Sequence, residues 1–129
     1  MNTPSYTLNE AMEIAMLAAH SRSVVCLEGS PGIGKSSIVE MIAGALELPL
    51  YVINLPNHEC TDLTGLPWYD RDTRQTRFAP PAMLPTRPAV VFLDEITAAD
   101  TATKKAAQRL ILERRIGDYR LPEGSVLIC

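Results

Sequence analysis

The stretch Gly29-Ser30-Pro31-Gly32-Ile33-Gly34-Lys35-Ser36 constrains this chain more than any other. It follows a short apolar, β-branched run, Ser23 to Leu27 (SVVCL). It precedes a segment in which Ile38, Met41, Ile42 and Ala45 recur at helical spacing until Pro49. So brief a run reads as a buried strand and the periodic segment as a helix, stopped by Pro49. Strand, glycine-rich turn and helix is the setting in which this spacing holds phosphates. Glycines let the backbone curl until successive N–H groups point inward at an anion, and the helix start adds partial positive charge. The expected cradle is Gly29, Ser30, Pro31, Gly32, Ile33, Gly34, Lys35, Ser36 and Ser37. Lys35 supplies a point charge for the β- and γ-phosphates of ATP, and the Ser36 hydroxyl suits Mg²⁺. A glycine-rich turn without a ligand is the plain alternative, and the strand–loop–helix setting argues against it.

A second element supports the first. Ala89-Val90-Val91-Phe92-Leu93-Asp94-Glu95 is an apolar strand ending in two carboxylates. In open α/β sheets ligands bind beyond the carboxyl ends of the strands, so this strand delivers its acids to the same place as the loop. Asp94 is the candidate Mg²⁺ residue, acting through the ion's water shell. Glu95 is the candidate general base, polarising a water for attack on the γ-phosphate. A strand ending in Asp-Glu means little alone; it gains meaning from the loop upstream.

The rest of the chain alternates strands with helices. Thr7-Leu8-Asn9-Glu10 forms a capping-box pattern, and Leu8, Ala11, Met12, Ala15, Ala18 and Ala19 follow at helical spacing. Leu50 to Leu55 (LYVINL) reads as a second buried strand, and Pro56 to Pro67 as loop with room for a short helical turn. Trp68 to Phe78 suggests a hairpin turning at Asp70 to Thr73. A third helix is expected from about Asp100 to Arg115, with Thr103, Ala106, Ala107, Leu110 and Ile111 as its buried stripe. Arg115 to Leu121 suits a small hairpin around Gly117-Asp118, and Ser125 to Cys129 a last strand. The expected fold is α/β, a parallel sheet covered on both faces in three layers.

Composition removes several function classes. With 129 residues and a formal net charge of −3, the chain has no charge excess that points to nucleic acid or an acidic membrane. Arg71, Arg74 and Arg77 are the one candidate basic patch, and solvated loop charge is the better reading. No apolar run approaches a membrane span, and the N-terminus is too polar for a signal peptide. Cys26, Cys60 and Cys129 fit no paired spacing, so reduced thiols in a cytoplasmic setting are expected. His20 and His58 lack metal-ligand spacing, and His58 with Cys60 makes only two ligands, so neither is assigned a metal. Trp68 and Tyr69 are expected to cover a core edge rather than to meet a partner.

GSPGIGKS together with FLDEI resembles Walker A and Walker B of the AAA+ ATPases. Asp62-Leu63-Thr64-Gly65-Leu66-Pro67, Phe78-Ala79-Pro80-Pro81-Ala82-Met83-Leu84-Pro85 and a helix ending in Glu113-Arg114-Arg115 narrow the likeness to the MoxR-type members. It runs from about Tyr6 to Cys129. The resemblance implies a P-loop NTPase core and a homo-oligomeric ring that hydrolyses ATP to remodel or mature a protein substrate, as chaperones do. It implies partners that include von Willebrand A domain proteins. Asn54 stands where the family carries a polar residue that restrains the catalytic glutamate; a plain strand-ending Asn is the alternative. Arg115 to Pro122 stands where the family has a hairpin ahead of sensor 1.

By that resemblance residues 1–129 are the N-terminal part of the nucleotide-binding domain. Sensor 1, the arginine finger, the last core strand, sensor 2 and the helical lid are expected beyond Cys129, which favours a fragment of a longer protein. Slow or absent hydrolysis by residues 1–129 alone is expected for want of the arginine finger. Val24 to Leu27 would then form an exposed apolar edge. Other classes fit less well. Asp62-Leu63-Thr64-Gly65 matches D-x-x-G of a GTPase-like switch, but no Asn-Lys-x-Asp motif accompanies it. A small-molecule kinase would need an arginine cluster for its acceptor. A nucleotide-binding scaffold without competent hydrolysis remains the non-enzyme alternative.

Overall fold

The computed structural model describes residues 7–21, 24–27 and 34–129. Gly29, Ser30, Pro31, Gly32 and Ile33 of the expected cradle lie outside the described residues, as does Ser23, and so do the side chains of Leu8, Ala11 and Ala19.

The capping box forms as its spacing predicts: the Thr7 amide donates to Glu10 Oε2 at 3.1 Å and the Glu10 amide to Thr7 Oγ1 at 3.2 Å. Helix α1 (Leu8–His20) follows, and after the extended segment 24–27 comes α2 (Lys35–Leu46). The chain then runs through β1 (Leu50–Asn54), a 3-10 turn at Leu55–Asn57, α3 (Cys60–Thr64) and the hairpin β2 (Leu66–Asp70) and β3 (Gln75–Ala79). Next come β4 (Val90–Asp94), a second 3-10 turn at Ile96–Ala98 and α4 (Thr101–Glu113). A small hairpin, β5 (Arg115–Ile116) and β6 (Tyr119–Arg120), leads to β7 (Val126–Ile128).

The central sheet has the order β1-β4-β7, parallel throughout, with Asn54 opposite Asp94 and Phe92 opposite Ile128. Segment 24–27 continues it beyond β7 through a parallel bridge between Val25 and Ile128. Its other side meets no strand among the described residues. Val25 and Leu27 nonetheless turn partly into the core.

β4 is buried along Val90–Leu93, and alternation sends its residues to opposite faces. Val90 and Phe92 pack with Ala15 of α1 and with Ile38, Val39, Ile42 and Ala43 of α2. Val91 and Leu93 pack with Leu63, Leu84, Ala107 and Leu110 on the side of α3 and α4. This is the three-layer α/β arrangement of a P-loop core.

Four expectations need correction. The buried face of α2 is Ile38, Val39, Ile42 and Ala43, whereas Met41 and Ala45 are exposed. A flat sheet face takes a broad stripe that includes i+1 and i+5, and the spacing admitted both rotations. The helix ends not at Pro49 but at Glu47, which adopts the left-handed conformation and returns its N–H to Ala43 and Gly44 carbonyls. Trp68 and Tyr69 are 51% and 60% exposed, because β2–β3 pairs as a hairpin of its own and never joins the central sheet. Finally, Cys26 and Cys129 are joined as a disulfide across a sequence separation of 103 rather than standing as separate thiols; the pairing of segment 24–27 with β7 sets them side by side.

Two further expectations are met only in part: Val52 of the expected buried strand β1 is 57% exposed, because β1 ends the sheet among the described residues, and Ile111 at the rim of the α4 stripe is half-buried. Thr103, Ala106, Ala107 and Leu110 are the buried residues of α4, whose N-cap Asp100 accepts from the Thr103 amide at 2.7 Å. The β2–β3 turn is held by Asp70 Oδ1, which accepts from the Asp72 and Thr73 amides. No described helix is long and apolar enough to cross a membrane.

Candidate functional site

A parallel sheet gathers its carboxyl ends at one edge, and three of the sequence-predicted residues, Asn54, Asp94 and Glu95, meet there. Asn54 closes β1, Asp94 closes β4, and the two are register partners. Glu95 follows Asp94 immediately. Segment 24–27 runs in the same direction, so the chain leaves Leu27 at this edge on its way to the start of α2. β7 lies between that segment and β4.

α2 opens in a manner suited to an anion. Its N-cap is Gly34 at φ 90°, a conformation glycine takes without steric cost. Among the described residues no side chain caps the helix, and no acid occupies its first turn. Lys35, Ser36 and Ser37 are its first residues, so their N–H groups belong to the turn that has no intrahelical acceptor. Lys35 is half-buried, while Ser36 and Ser37 are exposed. The helix is seated on the sheet by Ile38, Val39, Ile42 and Ala43, and its far end leads into β1 at the sheet's amino edge, so it runs along the strands from the carboxyl side.

The acidic side has features the sequence did not announce. Glu95 has φ 55° and ψ 44°, the left-handed region that a non-glycine residue seldom occupies. It is exposed, and Asp94 beside it is half-buried. Asn54 Oδ1 is buried with no hydrogen-bond partner among the described residues, next to the strand that ends in Asp94. An amide oxygen left so is an acceptor awaiting a donor. Buried Thr103 ties this edge together by donating its hydroxyl to the His58 carbonyl at 3.2 Å, which joins the segment after Asn54 to the helix after Glu95.

Away from the edge, the hairpins touch. Asp118 Oδ2 accepts from Arg77 Nε at 2.8 Å and from the Phe78 amide at 3.1 Å. Those two bonds, the guanidinium's first, hold the Asp118 carboxyl below its ordinary value of 3.8. Of the expected basic patch, Arg71 and Arg74 are exposed and Arg77 is engaged with Asp118. His58 pairs with Asp62 rather than Cys60, at 3.2 Å.

A family model for the AAA domain of the dynein-related subfamily matches residues 24–125. The chain belongs to that AAA family. Its fold is also that of a solved structure of a proposed ATPase from Cytophaga hutchinsonii, with a TM-score of 0.63 at 15% identity. The match covers 94% of this chain and 41% of the other, so this AAA chain spans less than half the length of that protein. No curated protein matches the chain.

Sequence reasoning missed the backbone of Glu95, the Arg77–Asp118 bond and the Cys26–Cys129 pair. The first carries no sequence signal. The last had one: Cys129 ends its expected strand and Cys26 stands one residue before the end of its own.

Proposed function

We propose that this AAA chain binds ATP with Mg²⁺ and belongs to a MoxR-like ATPase that hydrolyses it to remodel a partner protein. The reading is carried by one observation: the uncapped start of α2 at Gly34-Lys35-Ser36 leads from the same sheet edge at which Asn54, Asp94 and Glu95 converge. The residues present fit the ligand. Open N–H groups and Lys35 suit phosphate, a hydroxyl and a carboxylate suit a hard cation, and the orphaned Asn54 oxygen suits a polar neighbour.

In this reading Gly29 to Ser37 wrap the phosphates, and Lys35 neutralises charge that builds on them. Ser36 and Asp94 would hold Mg²⁺, which when bound would draw charge from the phosphate oxygens. Glu95 accepts a proton from the attacking water, and Asn54 orients that carboxylate. The MoxR-like assignment rests on the Asp62–Pro67 and Phe78–Pro85 segments and the helix ending in Glu113-Arg114-Arg115. A ring of identical subunits, a protein substrate and a von Willebrand A domain partner follow from that assignment.

A titration with Mg²⁺ and a fluorescent ATP analogue tests the site, with Lys35→Ala and Glu95→Gln alongside. Saturable binding is expected, lost in Lys35→Ala and kept in Glu95→Gln. Hydrolysis by the complete protein falls about 10²- to 10⁴-fold in Glu95→Gln, the usual worth of a general base. A folded chain that binds no nucleotide would overturn the reading.

A further inference from the structure

The strand that leads into the phosphate loop is held to the rest of the sheet only through β7 among the described residues. Cys129 sits within that seam: its amide donates to the Val25 carbonyl, and its carbonyl accepts from the Leu27 amide. Cys26 is therefore its neighbour across the strands, with Cα atoms 4.3 Å apart. We propose that Cys26 and Cys129 form a redox modification site, a reversible disulfide that pins the loop-bearing strand to β7 and weakens nucleotide binding when closed. The proposal rests on the nucleotide-binding reading above.

Thiol–disulfide exchange needs access to one of the two sulfur atoms, and one of the two residues is exposed. Cys26 is exposed and Cys129 is only 7% exposed. A small thiol reaches the bond from the Cys26 side. Its thiolate attacks Cys26 Sγ, the bond to Cys129 breaks, and Cys129 leaves as a thiolate that takes up a proton. A second small thiolate attacks the sulfur of the first in the mixed disulfide. That step releases Cys26 as a thiolate and forms the small disulfide. Two electrons pass to the protein and both thiols end protonated. Closure is the reverse, with glutathione disulfide as the oxidant.

The effect on the ligand follows from position. Cys26 lies in the strand that continues directly toward Gly29 to Ser36. A covalent link between Cys26 and Cys129 fixes the strand that leads into the loop against β7 more firmly than the ladder hydrogen bonds alone. An N–H cradle must settle around its phosphates, and a pinned entry removes that adjustment. Cys60 is free and sits in α3, which makes it an internal control.

The test uses the protein equilibrated in dithiothreitol or in glutathione disulfide, then alkylated for thiol counting by mass spectrometry and titrated with the Mg²⁺–ATP analogue. The reduced form should show three alkylated cysteines and the oxidised form only Cys60. The oxidised form should bind about tenfold more weakly, a change of ~1.4 kcal/mol. Cys26→Ser, at an exposed position, should bind equally in both buffers, and Cys60→Ser should still respond. Three free thiols under oxidising conditions, or equal affinity with the bond shown closed, would overturn the proposal. Loss of binding in both forms would defeat the nucleotide reading and the coupling with it, while the thiol count would still report the bond by itself.

Discussion

Glu95 holds a backbone conformation that an L-residue adopts at a cost of roughly 1–2 kcal/mol. Strain of this kind persists where the surroundings over-determine it, and here it turns the chain from β4 into the 3-10 turn at Ile96–Ala98. Glycine would relieve it and lose about 0.5–1 kcal/mol to unfolded-chain entropy. Glu95→Gly should therefore be as stable as Glu95→Gln or more so, by up to about 1 kcal/mol in urea unfolding. Both should lose the hydrolysis proposed for the longer ATPase. A Glu95→Gly protein clearly less stable than Glu95→Gln would mean that the side chain, not the backbone, dictates this turn.

At the scale of elements, the two hairpins form one joint. Gly65 at φ 83° lets β2 pass the end of β3 so closely that a Cβ there would lie 1.8 Å from the Ala79 carbonyl oxygen. Gly65→Ala should lower stability by about 2–4 kcal/mol in denaturant unfolding, as strain and clash combine. The Asp118 link answers to pH. Its carboxyl is held below 3.8 in the folded chain, so its contribution is fully present above that value and is lost as pH falls through the depressed value. Trp68, the register partner of Arg77, is the single tryptophan and reports on the joint. Its fluorescence should stay constant down to mildly acidic pH and change below the ordinary carboxylate range. Asp70, in the turn of the same hairpin, is also held low by Thr73 and Asp72, so it contributes to the same acid titration. Asp118→Asn should remove only the Asp118 share, and an unchanged titration in that variant would assign the whole signal to Asp70.

Elements of this kind were legible where local chemistry alone decides them. The Thr7–Glu10 box, the Asp70 turn and the α4 stripe each depend on residues a few positions apart. The convergence of Asn54 with Asp94 was legible too, because a parallel sheet leaves little choice about which ends meet. What escaped were facts set by packing partners: which rotation α2 presents to the sheet, and whether Trp68 is covered. Met41 and Val39 are both apolar and both fit a helical stripe, so only the opposing surface chooses between them.

For the whole molecule, the decisive fact is that its two apolar clusters share strands. β4 and β7 send Val90, Phe92, Val126 and Ile128 to the α1–α2 side and Val91, Leu93 and Leu127 to the α3–α4 side. Neither cluster can dissolve without releasing the strands that organise the other, so the domain should unfold as one cooperative unit. Leu110, fully buried beneath α4, tests this from the side remote from α2. Leu110→Ala should cost about 2–5 kcal/mol, a large share of a typical domain's roughly 5–15 kcal/mol. In hydrogen exchange, amides of α2 around Val39 and Ile42 should lose protection alongside those of α4, although no atom near them has changed. Affinity at the proposed Lys35 nucleotide site should then fall only as far as the folded fraction falls, and excess ATP analogue should restore it by mass action. Protection lost in α4 alone would show two units joined at the sheet, and the phosphate-binding side could then survive damage to the face that carries the hairpins.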